Sequence, residues 1–256
     1  MTGKAYLIGA GPGRADLITV RGLTLLRQSE VVLYDHLIAR ELLDAAPPTA
    51  ERIFVGKGPG RHLVEQAAIN ELLVAQVQAG KQVARLKGGD PFVFGHGGEE
   101  ALALRQAGLP FEIVPGVTSA VAVPAFAGIP VTQRGMATGF TVVTGHLAAD
   151  QAYSAADWAA LARMPTLIIL MGLRQSTDIC AALITAGRDP ATPAAIISWG
   201  TTDRQQVVRA TLDSLAAATL AHDLPTPAVI VIGAVAALAD ELAWFQPDGT
   251  ADGFVE

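Results

Sequence analysis

The chain is poor in several things, and each shortage narrows what it can be. Cys180 is its single cysteine, so no internal disulfide can form, and no Cys/His group has the spacing of a zinc site. That usage suits a reducing compartment and no metal, and the expectation is a cytoplasmic protein. Aromatic residues make up 5% of the sequence, too few for an aromatic-cored β-sandwich. There is no run of Lys or Arg and the net charge is −6, which argues against a protein that tracks nucleic-acid phosphates. The amino end passes from Lys4 through a short apolar strand into a Gly/Pro loop, without the longer apolar core of a signal peptide. No uninterrupted apolar run spans a bilayer either. Ile113 to Gln133 is uncharged and long enough, at roughly 20 residues, but Pro115, Gly116, Pro124, Gly128 and Pro130 break it into strand, loop and short helix. A protein away from the membrane is expected.

What is abundant is small and apolar. Hydrophobic residues are 51% of the 256, against 16% charged, so a large core is assured and wholesale disorder is excluded. Apolar runs of strand length alternate with segments of helical period, the α/β signature. In the first half the strand candidates are Ala5–Ala10, Glu30–Asp35, Arg52–Gly56, Gln82–Lys87 and Phe111–Val114. Helices are predicted at Thr19–Gln28, Leu63–Ala79 and Gly97–Ala107, and an Ala-rich helix follows Ser119. Near-continuous apolar strands such as Glu30–Asp35 point to a parallel sheet covered on both faces.

A Pro/Gly-rich passage from Gly128 to Gly139 interrupts this rhythm and reads as a linker. Beyond it, strands are predicted at Phe140–Thr144, Thr166–Met171, Ala194–Ser198, Gln206–Ala210 and Ala228–Ile232. Helices are predicted at Ala155–Arg163, Gln175–Ala186, Leu212–Ala221 and Ala234–Trp244. The expected architecture is two α/β/α domains, each with a sheet of about five strands, and an active-site cleft between them. The boundaries are 1–128 for the first domain, 129–139 for the linker, 140–245 for the second domain and 246–256 for a tail.

Ligands of α/β proteins sit at the carboxyl ends of strands, so those loops are the candidates. The first, Gly9-Ala-Gly-Pro-Gly13, is similar to a dinucleotide-binding turn, and Asp35 falls where a ribose-binding acid would. Against that, Arg14 occupies the position of the third glycine and Pro12 removes a backbone donor, so a plain tight turn is an equal reading. The second runs from Arg85-Leu-Lys-Gly-Gly-Asp90 to Glu100, where clustered glycines suggest main chain against a ligand. Asp90, before Pro91, either accepts a ribose hydroxyl or caps a turn. Thr118 or Ser119 can cap the helix they precede. Lys57 after the third strand suits proton transfer or anion binding, and a solvated loop lysine equally. Met171-Gly172 and Trp199-Gly200 follow the same strand-end rule, although a methionine there is ordinarily core.

Taken together these pieces resemble the tetrapyrrole methylases. The matching blocks are Gly9–Gly13, Val32–Asp35, Val55–Lys57, Arg85–Gly95, Gly97–Glu100, Val114–Thr118, Ala127–Pro130 and Thr144–His146. They run from about residue 4 to 245, which leaves no room within this chain for an appended dehydrogenase or ferrochelatase domain. The Arg85–Gly95 block is the specific one; the first glycine turn alone is weak.

The resemblance implies a homodimer that uses S-adenosyl-L-methionine (SAM) and releases S-adenosyl-L-homocysteine. Pro12, Gly88, Gly89, Asp90, Val93, Thr118, Ser119, Met171, Gly200 and Ala228 would line the SAM site. Asp35 would be the proton acceptor and Lys57 the proton donor. The implied acceptor is uroporphyrinogen III, methylated at C2 and C7 to precorrin-2. Arg134, Glu99 and His96 are then its candidate contacts, with Arg61, His62 and His146 adding local positive charge for its carboxylates. This sequence departs from the family at Arg14, usually Asp, at His96, usually Arg, and at Gln133, commonly His. A methylase of a later corrinoid precursor, an NAD-dependent oxidoreductase and a ligand-binding regulator stay open as alternatives.

Overall fold

The computed structural model describes residues 3–56, 65–145, 153–249 and 254. Two compact units emerge, Met1–Thr118 with Thr250–Glu256, and Ser119–Gly249.

The first unit is built on a wholly parallel sheet. Its elements are β1 (Lys4–Gly9), α1 (Val20–Leu26), β2 (Val31–Tyr34), α2 (Arg40–Ala45), β3 (Glu51–Phe54), α3 (Gln66–Gln78), β4 (Gln82–Lys87), α4 (Gly97–Gln106) and β5 (Phe111–Val114). The strand order is β3-β2-β4-β1-β5. The chain therefore moves toward one edge through α1 and α2, then back across the sheet through α3 and α4. Right-handed crossovers must place helices on opposite faces when the direction reverses. The core divides accordingly. Leu25, Leu26, Leu42 and Leu43 of α1 and α2 pack on Ile8, Val32, Ala84 and Leu86. Leu73 and Val77 of α3 and Leu104 of α4 pack on Leu7, Val31, Leu33 and Val83. Alternate residues of each strand serve opposite faces. That parity puts Arg85 and Lys87 on the α3/α4 face.

The second unit begins with α5 (Ser119–Phe126) and continues with β6 (Phe140–Thr144), α6 (Ala155–Leu161), β7 (Thr166–Leu170), α7 (Ser176–Thr185), β8 (Pro193–Ser198), β9 (Gln206–Thr211), α8 (Leu215–Ala221) and β10 (Ala228–Gly233). Its strand order is β6-β7-β10-β8-β9. Only β6 and β7 pair in parallel; β10 runs antiparallel to β7 and β8, and β9 antiparallel to β8. One face carries Leu161, Ile179, Leu183 and Leu215 from α6, α7 and α8. Cys180 lies in that layer, and burial pushes its thiol up to about 11, so it stays a neutral packing group.

Both sheets have five strands, as expected. Three details differ. Helix α2 has no counterpart among the predicted elements. The segment Ala234–Trp244 is a 3-10 helix at Ala234–Ala239 rather than an α-helix. Residues 129–139, expected as a linker, fall between α5 and β6 within the second unit. Among the described residues no helix is long and apolar enough to cross a membrane.

Candidate active site

Three adjacent strands of the first sheet, β4, β1 and β5, end in glycine-rich loops, and their main chains are pressed together. A Cβ on Gly116 would lie 2.2 Å from the Gly89 carbonyl oxygen, and one on Gly9 would lie 2.5 Å from the Gly116 Cα. Gly11 N donates to Gly89 O at 3.3 Å and Gly89 N to Gly11 O at 2.7 Å, while Ala10 N donates to Lys87 O at 2.8 Å. The Asp90 carboxylate completes the weld. Its Oδ1 accepts from Phe92 N at 2.8 Å and its Oδ2 from Gly116 N at 2.9 Å. Gly9, Gly89 and Gly116 are thus required by one another, and Asp90 does cap its turn. A Cβ on Gly88 would lie 3.1 Å from the Leu37 carbonyl oxygen.

This arrangement overturns the NAD reading. In the dinucleotide fold the first two strands are neighbours, so that an acid ending the second reaches a ribose at the first turn. Here β4 separates β1 from β2, and Asp35 belongs to a different stretch of the edge. The Ala10 and Gly11 amides that would cradle a pyrophosphate are spent on β4 and its loop. Helix α1 starts only at Val20, capped by the Thr19 hydroxyl, after an intervening 3-10 turn at Ala15–Leu17. Arg14 forms an ion pair with Asp16.

Beside the weld lies a group of four charges that sequence reasoning did not assemble. Arg85 is 2% exposed. Its Nη2 donates to Asp35 Oδ1 at 2.6 Å, its Nε to Glu100 Oε1 at 2.9 Å and its Nη1 to the Leu86 carbonyl at 3.2 Å. Lys87 Nζ meets the same Glu100 oxygen at 2.8 Å and stands 3.8 Å from Asp35 Oδ2. Burial alone would lower the Arg85 pKa, but the charges and hydrogen bonds of Asp35 and Glu100 outweigh it and hold the guanidinium above its ordinary value. Burial, reinforced by the neighbouring Arg85 charge, pulls the Lys87 ammonium below its own. Two cations two residues apart in a doubly covered strand were the available signal, because parity places both on the face that α4 covers. Asp35 is the member that reaches solvent, with 30% of its side chain exposed.

The other expected contacts are spread along the same loops. His96 and Glu99 pair with each other, Nδ1 to Oε1 at 2.8 Å, and both are more than half exposed. His96 and Phe94 have left-handed backbones, φ 56° and 53°, and the Phe92 and Phe94 rings are exposed beside the half-buried Val93. Pro12 is buried within the first turn, whereas Thr118 is half-buried after β5. Lys57, Arg61, His62 and His146 lie outside the described residues.

In the second unit, β8 is parallel to β7 because both run against β10, so the ends of β7 and β8 and the start of β10 share one edge. Met171, Gly200 and Ala228 occupy those three places. Met171 has φ 55° and is 51% exposed, an unusual state for a methionine and unlike a core residue. A Cβ on Gly200 would press on Val123 of α5 at 2.4 Å. Ser119 is the first residue of α5. Gly145 repeats the weld of the first unit, with a Cβ position 2.3 Å from the Gly172 Cα. Arg134 is exposed, in the turn closed by the Gln133–Ala137 bridge.

Residues 4–216 match the tetrapyrrole (corrin/porphyrin) methylases. The siroheme synthase of Tolumonas auensis is 52% identical over 252 residues, covering 98% of this chain and 53% of that protein. The chain spans about half the length of the siroheme synthases it matches. The uroporphyrinogen-III C-methyltransferase of Bacillus subtilis is 45% identical over 247 residues, 96% of each chain. A crystal structure of uroporphyrin-III C-methyl transferase from Thermus thermophilus, complexed with S-adenyl homocysteine, is 40% identical with a TM-score of 0.80, covering 92% of this chain and all of that one. With the family's strand-end loops folded at the edges of two five-stranded sheets, the chain belongs to the tetrapyrrole methylases.

Proposed function

We propose that the protein transfers methyl groups from SAM to C2 and C7 of uroporphyrinogen III, giving precorrin-2 and two molecules of S-adenosyl-L-homocysteine. The observation that carries this reading is the similarity to the Bacillus uroporphyrinogen-III C-methyltransferase across 96% of both chains. The donor set of the loops fits SAM. Asp90 spends two acceptor positions on backbone amides and a carboxylate has about four, so hydroxyl groups of a ribose find the others. The turn after β1 offers no unpaired cation to a phosphate, and SAM carries none. Pro12, Gly88, Gly89, Asp90, Val93 and Thr118 of the first unit, with Ser119, Met171, Gly200 and Ala228 of the second, are the residues assigned to it.

SAM supplies a methyl group already activated by its sulfonium. The protein's part is to align a pyrrole carbon with that methyl and to manage charge. As the new carbon–carbon bond forms, the ring gains positive charge; the methylated carbon already carries a side chain and no hydrogen, so the proton that restores neutrality leaves from elsewhere on the macrocycle. Asp35 is assigned the task of stabilising that cation and taking the proton, and its contact with Arg85 and its partial exposure support that reading. Lys57 is assigned the proton-donor role. Arg134 supplies a fork for a substrate carboxylate, and the His96–Glu99 pair gives a donor and an acceptor where the family usually has an arginine. The protein is assigned to the cytoplasm as a homodimer.

Incubation with uroporphyrinogen III and isotopically labelled SAM, followed by mass measurement of the product, tests the proposal. A gain of two labelled methyl groups is expected. No gain, with methylation of a later corrinoid precursor under the same conditions, would move the assignment to the alternative.

A further inference from the structure

We infer that Glu100 is a positioning residue for Asp35, acting through Arg85. The inference rests on the reading that Asp35 meets the substrate, and it explains how that carboxylate is held. Glu100 is fully buried, so it touches no substrate itself. Its Oε1 takes hydrogen bonds from both Arg85 Nε and Lys87 Nζ. Each of the three guanidinium nitrogens of Arg85 then has its own partner: Glu100 on Nε, the Leu86 carbonyl on Nη1 and Asp35 on Nη2. Three partners in different directions fix a planar group, which a single ion pair to Asp35 would leave free to swing.

The elements that carry these residues reinforce the point. Arg85 and Lys87 sit on the rigid central strand β4, while Glu100 lies in the first turn of α4. Asp35 follows β2, the neighbour of β4, and its carboxylate is the group of the four that extends into solvent. The set is balanced, two cations against two carboxylates, which is the condition for keeping charge inside a protein. Were it merely a stabilising device, apolar residues of similar volume would serve as well. A fixed guanidinium that ends on the single exposed carboxylate is instead the support that a precisely aimed acid–base group needs.

The test is a double-mutant cycle on the full chain, with uroporphyrinogen III and SAM as substrates. Glu100→Gln keeps the shape but withdraws the charge that orients Arg85. It should lower kcat roughly 10- to 100-fold, the scale of a misplaced catalytic group, while the KM for SAM stays within about twofold. Because Glu100 acts through Asp35, Glu100→Gln should reduce kcat little further in an Asp35→Asn background. Glu100→Asp, which retains the charge, should recover part of the loss. Unchanged kcat with only a lowered Tm would overturn the inference, as would a full multiplicative loss in the double variant. Normal turnover by Asp35→Asn would remove the reading of Asp35 together with it. An impaired Asp35→Asn beside a fully active Glu100→Gln would sink the inference alone. Should Glu100→Gln fail to fold, Arg85→Lys replaces it in the cycle. That variant keeps the buried cation and loses the fork, and its kcat should fall without a change in the SAM KM; undiminished kcat would overturn the inference.

Discussion

The two sheets of this protein solve one packing problem alike and an electrostatic problem differently. At each edge where strands end, glycines let main chains touch: Gly9, Gly89 and Gly116 in the first unit, Gly145 and Gly172 in the second. Charge separates them. The first unit buries two cations with two carboxylate partners, Arg85 and Lys87 against Asp35 and Glu100. The second buries Arg188 with no carboxylate among the partners it shows. Its guanidinium donates to the carbonyls of Ala162, Met164 and Ile232, and burial lowers its pKa. Carbonyl dipoles suffice to hold a structural cation. In the first unit opposed full charges hold a carboxylate that also reaches solvent, which suits the proton role proposed for Asp35.

Removing one cation from each unit should break the comparison most visibly. Lys87→Met leaves the buried Glu100 and the part-exposed Asp35 sharing one buried guanidinium, at a cost of about 3–5 kcal/mol. Arg188→Met leaves neutral carbonyls short of a donor, at about 1–3 kcal/mol. Urea unfolding of both variants gives the difference. Equal losses would mean that the charge balance around Lys87 has no special weight.

The glycine contacts come next in size, and here the two units should agree. Gly116→Ala and Gly145→Ala each force backbone atoms apart, at about 2–3 kcal/mol or more. Gly98→Ala is the control. Nothing lies within 4 Å of a Cβ at that helical position, so it should stabilise by about 0.5–1 kcal/mol. A tolerated Gly145→Ala beside a damaging Gly116→Ala would confine the tight weld to the first unit.

Much of this arrangement was legible in the sequence, for physical reasons that also explain the failures. The spans of β4, β5 and β6 are read without error because Gly or Pro punctuates at least one end of each. Helix α2 escaped because six residues before Pro47 and Pro48 carry too few turns to show a period. The antiparallel course of β10 and β9 was invisible, since an apolar run does not encode its direction. The rule of strand ends drew attention to Asp35, Gly88, Gly89 and Asp90, which the structure sets in the loops that follow β2 and β4. The mutual need of Gly9, Gly89 and Gly116 stayed hidden, because a missing Cβ looks the same whether a ligand or another main chain requires it. Glu100 was read only as part of a glycine-rich block. Its partners, Arg85 and Lys87, lie far enough upstream that only the packing of α4 on β4 brings them together.

The smallest effect concerns charge at the surface and sharpens the contrast with Lys87. Glu112, on the edge strand β5, takes hydrogen bonds from Lys4 Nζ at 2.9 Å and Arg21 Nη2 at 2.7 Å. The bond from Lys4, then that from Arg21, holds its carboxyl below the ordinary 4.5. A depressed carboxylate stabilises the fold above the unfolded-state value and loses that contribution as pH falls through the folded one. Because the group is solvated and screened, the contribution is under about 1 kcal/mol. Glu112→Gln should therefore lower stability slightly at pH 7 and by less in roughly 1 M salt. Well below pH 4.5 the variant and the parent should converge, since the parent carboxyl is then protonated as well. A difference that persisted in acid would show that Glu112 acts through packing against its neighbours, and would erase the distinction between its exposed ion pairs and the buried set around Arg85.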